Sequence, residues 1–153
     1  MAGEVRGYFE IGIYNVKSEV NVGTLWRSAY QFGASGIFTI GKRYKQQASD
    51  TVKAQRHIPL RQFEDWDKFW VSLPIDAPVI AIEMGGRLLS NFCHPERAIY
   101  LLGAEDHGLP GKIIQQCHHH ISLESVRIES YNVAVAGSIV MYHRAMSRGG
   151  FNG

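Results

Sequence analysis

Apolar runs of strand type and segments with helical spacing alternate along this chain, and that order constrains its fold more than any other feature. The first apolar run, residues 8–14, precedes residues 21–32, where apolar side chains recur at helical spacing. Gly33 then follows as a helix stop, and residues 36–41 hold a second apolar run between two glycines. A strand, a helix and a second strand are therefore predicted at the start of the chain.

The same alternation continues to the last helix. The pattern predicts an amphipathic helix at 63–73 ended by Pro74, strands at 78–82 and 98–102, a short helix at 110–116, a strand at 121–123 and a final helix at 131–147. Residues 42–61 are polar and basic without a clear period, and a long loop is expected there. Together these elements predict an α/β fold with a mostly parallel sheet flanked by helices.

The composition indicates one globular domain. With 153 residues, 45% hydrophobic and 20% charged, residues 1–153 are expected to form a single domain with a real core. The net charge of +2 permits an anionic partner without requiring one. No window approaches the roughly 20 apolar residues of a membrane span, and Cys93 and Cys117 offer no disulfide framework, so a cytoplasmic protein is expected.

Three segments follow predicted strands and are the candidates for chemistry. In an open parallel sheet, ligands collect beyond the carboxyl ends of the strands. Residues 15–27, 103–110 and 121–132 occupy such places. In the first segment Asn21 is interpreted as a helix cap, and Arg27 lies about two turns further on, on a different face from Trp26.

Two further patterns suggest metal ligands at first sight. Glu105, Asp106 and His107 are adjacent on a tight turn and are not expected to converge on one ion. The side chains of the four consecutive residues 117–120 are expected to point in different directions. A basic surface turn is therefore the preferred interpretation, and no metal site is expected. The chain also lacks a Walker phosphate loop and a Gly-x-Gly-x-x-Gly fingerprint.

The third segment leads into the final helix. Ser130 is a plausible helix cap there. Residues 133–137 are small, so another element is expected to pack closely on the beginning of that helix.

In this order, the three segments resemble the three signature motifs of the SpoU (TrmH-like) branch of the SPOUT methyltransferases. The matching residues are 21–27 with 32–33, 101–105 with 108–110, and 121–123 with 130–136. The resemblance implies an α/β knot, in which the C-terminal part threads through a loop to form a deep trefoil, a rare exception to unknotted folds. It also implies a homodimer with the active site across the interface.

The activity implied by the resemblance is methyl transfer from S-adenosylmethionine to a ribose 2′-hydroxyl of RNA, with S-adenosylhomocysteine as product. The implied cofactor contacts are Ile82, Glu83, Gly85, Gly103, Ile121, Leu123, Ser130 and Ala134. The implied catalytic residues are Arg27, Asn21, Glu105, Ser130 and Asn132. Arginine is protonated at ordinary pH, so a role of Arg27 as general base and a role in stabilising an anion both stay open.

The substrate expected from the small size of the chain is transfer RNA, with ribosomal RNA as the alternative. The candidate phosphate contacts are Lys42, Arg43, Lys45, Lys53 and Arg56, and the alternative for each is a solvated position in a basic loop. The loop at 123–129 and Tyr131 depart from the usual third motif, which makes cofactor placement along that loop approximate.

Two other classes of function compete with this one. A non-catalytic RNA-binding module with the same knot would be favoured by loss of Arg27 or Asn132, and both are present. A Rossmann-like enzyme acting on a small molecule would need a glycine-rich turn after the first strand, where residues 14–17 stand instead.

Overall fold

The computed structural model describes residues 7–41, 57–104, 107–127 and 130–149. Strands and helices alternate through these ranges, as the pattern predicts. The elements are β1 (Tyr8–Tyr14), α1 (Glu19–Gln31), β2 (Gly36–Ile40), β3 (Leu60–Phe63), α2 (Trp66–Val71), β4 (Val79–Leu88), a 3₁₀ turn (Leu89–Asn91), β5 (Arg97–Gly103), α3 (Gly111–Gln116), β6 (His119–Ser122) and α4 (Val133–Ser147). Of the helices in the described ranges, none combines the length and apolar character needed to cross a membrane.

The strands form one sheet in the order β3-β2-β1-β5-β4-β6. Every described pairing in it is parallel, so the predicted parallel α/β sheet is confirmed. Parallel strands end at the same edge of a sheet, and the segments that follow β1, β4, β5 and β6 therefore leave from one side of the molecule.

Helices cover both faces of the sheet. On one face, α1 and α4 contribute Leu25, Trp26, Val140 and Met141 to a buried cluster with Ile11, Ile13, Ile80 and Leu102. On the other, Phe69 of α2 and Ile113 of α3 pack with Phe38 and Leu101. The small residues of α4 allow close packing, because a Cβ on Gly137 would lie 2.6 Å from Leu25 Cδ1.

The prediction of a loop at 42–61 is wrong at the C-terminal end of that range. Leu60–Phe63 forms β3, which pairs with β2 in the register Ile37 to Leu60. This edge strand carries exposed Arg61 and Gln62 and shows no clean alternation, so the sequence pattern hides it. Residues 42–56 lie outside the described residues. The next helix begins at Trp66 rather than at 63, because the Asp65 side chain accepts from Lys68 N at 2.9 Å and caps it.

Both predicted helix caps are displaced. Ser18 rather than Asn21 caps α1, with its hydroxyl accepting from Asn21 N at 3.3 Å, and Asn21 lies in the first turn. Asn132 rather than Ser130 caps α4, with Oδ1 accepting from Ala134 N at 3.0 Å and Val135 N at 3.2 Å. Serine and asparagine cap equally well, so tertiary contacts decide which one is used.

β4 continues past the predicted end at Ile82 through an irregularity. Ile82 and Arg87 are both in register with Ile121 of β6, so residues 83–86 leave the regular pairing between them. β6 itself begins at His119, two residues before the predicted start. His119 and His120 therefore belong to a strand, and the predicted surface turn at these two residues is wrong.

Candidate functional site

A cavity of about 350 Å³ lies at the carboxyl ends of β4, β5 and β6. This is where an open parallel sheet is expected to bind a ligand. The lining residues come from the part of β4 where its regular pairing is interrupted, the end of β5 and the turn after it, the segment after β6 and the start of α4: Ile82, Glu83, Met84, Leu102, Gly103, Ala104, His107, Gly108, Leu123, Ser125, Arg127, Ser130, Tyr131, Val133 and Ala136.

The Glu83 carboxylate joins two walls of this cavity. Its Oε2 accepts from Leu109 N at 2.8 Å, and its Oε1 accepts from Met84 N at 3.0 Å. The backbone oxygen of Glu83 lies 3.0 Å from His120 Nε2, which adds a contact to β6. Both carboxylate oxygens of Glu83 accept hydrogen bonds from backbone N–H groups. Glu83 therefore holds the turn after β5 against the middle of β4.

Two glycines make room for that arrangement. A Cβ on Gly103 would lie 2.4 Å from the Gly108 carbonyl carbon, and a Cβ on Gly108 would lie 2.2 Å from Glu83 Oε2. Gly108 also has φ +61°, in the left-handed region, and its N–H donates to Ala104 O at 2.9 Å. The turn can approach the carboxylate and the cavity this closely only with glycine at these positions.

The third wall is the segment after β6. Leu123, Ser125 and Arg127 line the cavity from this segment, and Tyr131 OH donates to Glu124 O at 2.6 Å. The Glu124 carboxylate accepts from Ser90 N at 3.1 Å. Hydrogen bonding by the Ser90 side chain first, and then by backbone N–H groups, holds the pKa of Glu124 below its ordinary value. The wall is thus attached to the 3₁₀ turn that follows β4.

A hydrogen bond links this region to α1. Asn132 Nδ2 donates to Asn21 Oδ1 at 3.1 Å, and Asn21 is only 9% exposed. Arg27, two turns further along α1, is exposed, while Trp26 beside it is buried, as the spacing predicts. Arg27 forms no ion pair with the residues in the described ranges.

The structure brings together some of the residues implied by the resemblance and separates others. Those that line the cavity are Ile82, Glu83, Gly103, Leu123 and Ser130. Ile121 is fully buried in β6, Ala134 is buried in the first turn of α4, and Gly85 lies in the irregular part of β4. Glu105 and the candidate phosphate contacts Lys42, Arg43, Lys45, Lys53 and Arg56 lie outside the described residues.

Sequence reasoning missed several lining residues. Met84, His107, Arg127 and Tyr131 border the cavity, although none was assigned to it. His107 lies inside the second motif and could have been found by taking the whole turn as the ligand contact. Arg127 belongs to a loop without periodicity, where no local pattern marks it.

The chemistry of the lining suits a small amphipathic ligand. Apolar side chains alternate with backbone groups and with the charged groups of Glu83 and Arg127. Within the described ranges, no three His, Cys, Asp or Glu side chains are grouped closely enough to hold a metal ion.

A second, shallower groove of about 380 Å³ separates α1 from α4 on the outer surface. Its lining is mostly apolar and includes Thr24, Phe32, Ala134, Val135, Ser138, Ile139 and Tyr142. Val135 and Tyr142 are 47% and 53% exposed, so this apolar surface faces solvent in the single chain.

Comparison with known proteins agrees with the fold and the motifs. The sequence model of the SpoU rRNA Methylase family matches residues 8–142. An uncharacterized tRNA/rRNA methyltransferase of Archaeoglobus fulgidus is 27% identical over 142 residues, which are 89% of this chain and 63% of that protein. The chain therefore spans less than two thirds of this curated relative.

Solved structures share the whole fold. One, solved for structural insights into the 2-OH methylation of C/U34 on tRNA, has a TM-score of 0.81 at 22% identity and covers 95% of this chain and 99% of its own. The AdoMet-bound rRNA methyltransferase from Sinorhizobium meliloti has a TM-score of 0.76 at 22% identity, covering 95% of this chain and 58% of its own.

Proposed function

The chain belongs to the SpoU rRNA methylase family, and we propose that it transfers a methyl group from S-adenosylmethionine to a ribose 2′-hydroxyl of RNA, with S-adenosylhomocysteine as product. The observation that carries this proposal is that the described parts of the second and third motifs border one cavity, while Asn132 ties the first motif to its edge. A volume of about 350 Å³ is within the range of small-molecule sites.

The cavity residues fit S-adenosylmethionine. Gly103 and Gly108 expose backbone to the ligand where a Cβ would collide with the turn itself. Ile82, Glu83, Gly103, Leu123 and Ser130 would hold the cofactor directly. Gly85, Ile121 and Ala134 would shape the walls behind them. The bound cofactor would supply an electrophilic methyl group on a sulfonium centre.

The proposed catalytic residues are Asn21, Arg27, Glu105, Ser130 and Asn132. The Asn21 and Asn132 amides position the start of α1 and α4 relative to each other. Arg27 would then act on the ribose hydroxyl in one of two ways: it accepts the departing proton, or it stabilises the negative charge on the oxygen or a neighbouring phosphate. The exposed guanidinium favours the second role, because a protonated arginine performs it without a change of state.

Transfer RNA is the proposed substrate. In support, the structure solved for methylation of tRNA is covered over 99% of its length by this chain, whereas the rRNA methyltransferase is covered over 58%. Lys42, Arg43, Lys45, Lys53 and Arg56 are the proposed phosphate contacts. Ribosomal RNA is the second candidate, and the AdoMet-bound rRNA methyltransferase of similar fold favours it.

The proposed fold includes the C-terminal trefoil knot. Its support is the family to which the chain belongs and the similar fold of the solved structures. α4 then returns across the sheet to pack on α1. Residues 1–153 would form this single domain.

A homodimer is proposed through the apolar groove between α1 and α4. Val135 and Tyr142 would be buried against a second copy, which removes apolar surface from water. Val135→Glu is expected to shift the chain from dimer to monomer in sedimentation analysis. A monomer in the wild type would remove this part of the proposal. A cytoplasmic location is also proposed, and Cys93 and Cys117 would stay reduced there.

The test is transfer of labelled methyl from S-adenosylmethionine to bulk transfer RNA and, separately, to ribosomal RNA. Wild type is compared with Arg27→Ala and with a control, Arg97→Ala, which removes an exposed arginine at the opposite end of the sheet. Label in transfer RNA that is lost only in Arg27→Ala supports the proposal. No label in either RNA and no binding of S-adenosylmethionine would overturn it.

A further inference from the structure

Resting on the proposed function, we propose that the Tyr131 hydroxyl holds the third wall of the cavity against the cofactor and so sets the affinity for S-adenosylmethionine. Tyr131 is a positioning residue in this account. It orders the loop that contacts the cofactor and takes no part in the transfer of the methyl group.

The hydroxyl joins Tyr131 to the part of the wall that directly follows β6. Tyr131 OH donates to Glu124 O at 2.6 Å, across seven positions of sequence. The segment so enclosed includes Ser125 and Arg127, whose side chains line the cavity. A side-chain hydrogen bond between two positions of a loop reduces the number of conformations that the loop can adopt. The loop then loses less conformational entropy when a ligand binds.

A second attachment anchors the same wall to the body of the protein. The Glu124 carboxylate accepts from Ser90 N in the 3₁₀ turn after β4 at 3.1 Å. Ser122 Oγ, just before the wall, donates to Gly86 O at 3.1 Å. Tyr131 and Glu124 therefore connect the wall both to the end of β4 and to the residue that precedes the cap of α4.

The position of Tyr131 also separates cofactor affinity from turnover. Its hydroxyl contacts Glu124 in the wall, whereas Arg27 and Asn21 lie on α1. The proposed catalytic residues Ser130 and Asn132 flank Tyr131 in the chain, and Tyr131→Phe leaves both of them and the backbone between them unchanged. Loss of one hydrogen bond of this kind corresponds to roughly a twofold to tenfold change in a dissociation constant. The Michaelis constant for S-adenosylmethionine should rise by that factor, while kcat at saturating cofactor stays unchanged.

The experiment is calorimetric titration of S-adenosylmethionine and S-adenosylhomocysteine into wild type, Tyr131→Phe and a matched control, Tyr30→Phe. Both tyrosines are 38% exposed, and the Tyr30 ring stacks on His57 while its hydroxyl has no hydrogen-bond partner within the described ranges. Weaker binding by Tyr131→Phe alone, with the kcat at saturating cofactor retained, is the expected result.

Other outcomes separate the two proposals. If wild type binds S-adenosylmethionine and Tyr131→Phe binds it equally well, the role of Tyr131 is wrong and the proposed function stands. If wild type does not bind the cofactor, both proposals fall. Glu124→Ala provides a second variant, and its effect should be less than additive with Tyr131→Phe because both attachments hold one wall.

Discussion

Asn132 Nδ2 donates a hydrogen bond of 3.1 Å to Asn21 Oδ1, across 111 positions of sequence. The other end of the same amide caps α4, because Asn132 Oδ1 accepts from the backbone N–H groups of Ala134 and Val135. One side chain therefore stabilises the helix that borders the cavity and joins it to the helix that carries Arg27.

These two roles of Asn132 can be separated by substitution. Asn132→Ser keeps a good capping residue and removes the amide donor to Asn21, so the free energy of unfolding should fall by about 1 kcal/mol, the loss of one hydrogen bond. Asn132→Ala loses the cap as well and should cost about 1 kcal/mol more than Asn132→Ser. Urea denaturation measures this difference. Methyl transfer should fall in both variants, and full activity in Asn132→Ser would show that the bridge to Asn21 is dispensable.

Gly108 is expected to be essential for the shape of the cavity. Gly108→Ala would place a Cβ 2.2 Å from Glu83 Oε2 at a residue with φ +61°, so the turn must move away from the carboxylate. We expect at least a tenfold loss of affinity for S-adenosylmethionine, corresponding to about 1.4 kcal/mol or more.

The matched control for this prediction is Gly111→Ala. A Cβ at Gly111, the first residue of α3, has no neighbour within 4 Å, and alanine is the better helix former. Calorimetry should give wild-type affinity for this variant. Equal affinity in both variants would mean that the packing of Gly108 against Glu83 does not shape the site.

Stability should decrease in mild acid because of His94. This histidine is 6% exposed, and its ring nitrogens lie 2.7 Å from Tyr100 OH and 2.7 Å from His143 Nδ1. Burial first, and then His143 and Arg144, lower the pKa of His94 from 6.5 to about 3. The unfolded chain takes up a proton below pH 6.5 and the folded chain does not, so the stability falls as the pH decreases from 6.5 toward 3.

Urea denaturation at pH 7 and pH 5 measures this effect. Between pH 7 and pH 5, His94 should lower the free energy of unfolding by about 2 kcal/mol. This follows because pH 5 lies about 1.5 units below the pKa of histidine in the unfolded chain. His94→Gln should remove most of this dependence, whatever its stability at pH 7. An equally steep loss of stability in His94→Gln would assign the dependence to other groups.

One ion pair should add to the stability of the edge strand β3, beside its backbone pairing with β2. Arg61 Nη2 lies 2.6 and 2.7 Å from the two carboxylate oxygens of Glu10, whose side chain is 3% exposed, and the Tyr8 hydroxyl also contacts this carboxylate. Arg61→Ala leaves a buried charge without its cationic partner, and we expect a loss of about 3 kcal/mol. The Arg61 side chain is 42% exposed, so the lower part of the range for buried pairs applies.

The control for Arg61 is the double variant Arg61→Ala with Glu10→Gln. Removing both charges should restore part of the stability in thermal unfolding, because no uncompensated carboxylate remains in the sheet. If the double variant is less stable than Arg61→Ala, the loss of stability in Arg61→Ala comes from lost packing and not from the broken ion pair.

The sequence predicts most of the fold because its signals are local. β1, β2 and β5 are mostly apolar runs, and Gly33 follows shortly after α1, where a helix stop is expected. β3 has no such signal, since Arg61 and Gln62 face solvent at the sheet edge. Its pairing with β2 depends on residues distant in sequence, which periodicity does not report.

The candidate site, like the fold, is predicted only where its residues carry a local sequence signal. The resemblance implies Glu83, Gly103 and Ser130 as contacts of one cofactor, and all three come after predicted strands of a parallel sheet. The structure brings all three to one cavity. The contact of Glu83 with Leu109 and that of Tyr131 with Glu124 arise from the packing of loops. No spacing in the sequence specifies those contacts, and for this reason Tyr131 and Arg127 were missed.

The chemical position of the transferred methyl group decides whether this protein is a ribose methyltransferase. Transfer RNA labelled by this protein from S-adenosylmethionine is digested to nucleosides and analysed by mass spectrometry, with Arg27→Ala as the inactive reference. We expect a methyl group on the ribose, as a 2′-O-methyl nucleoside whose adjacent phosphodiester bond resists alkali. A methyl group on a base would contradict this expectation.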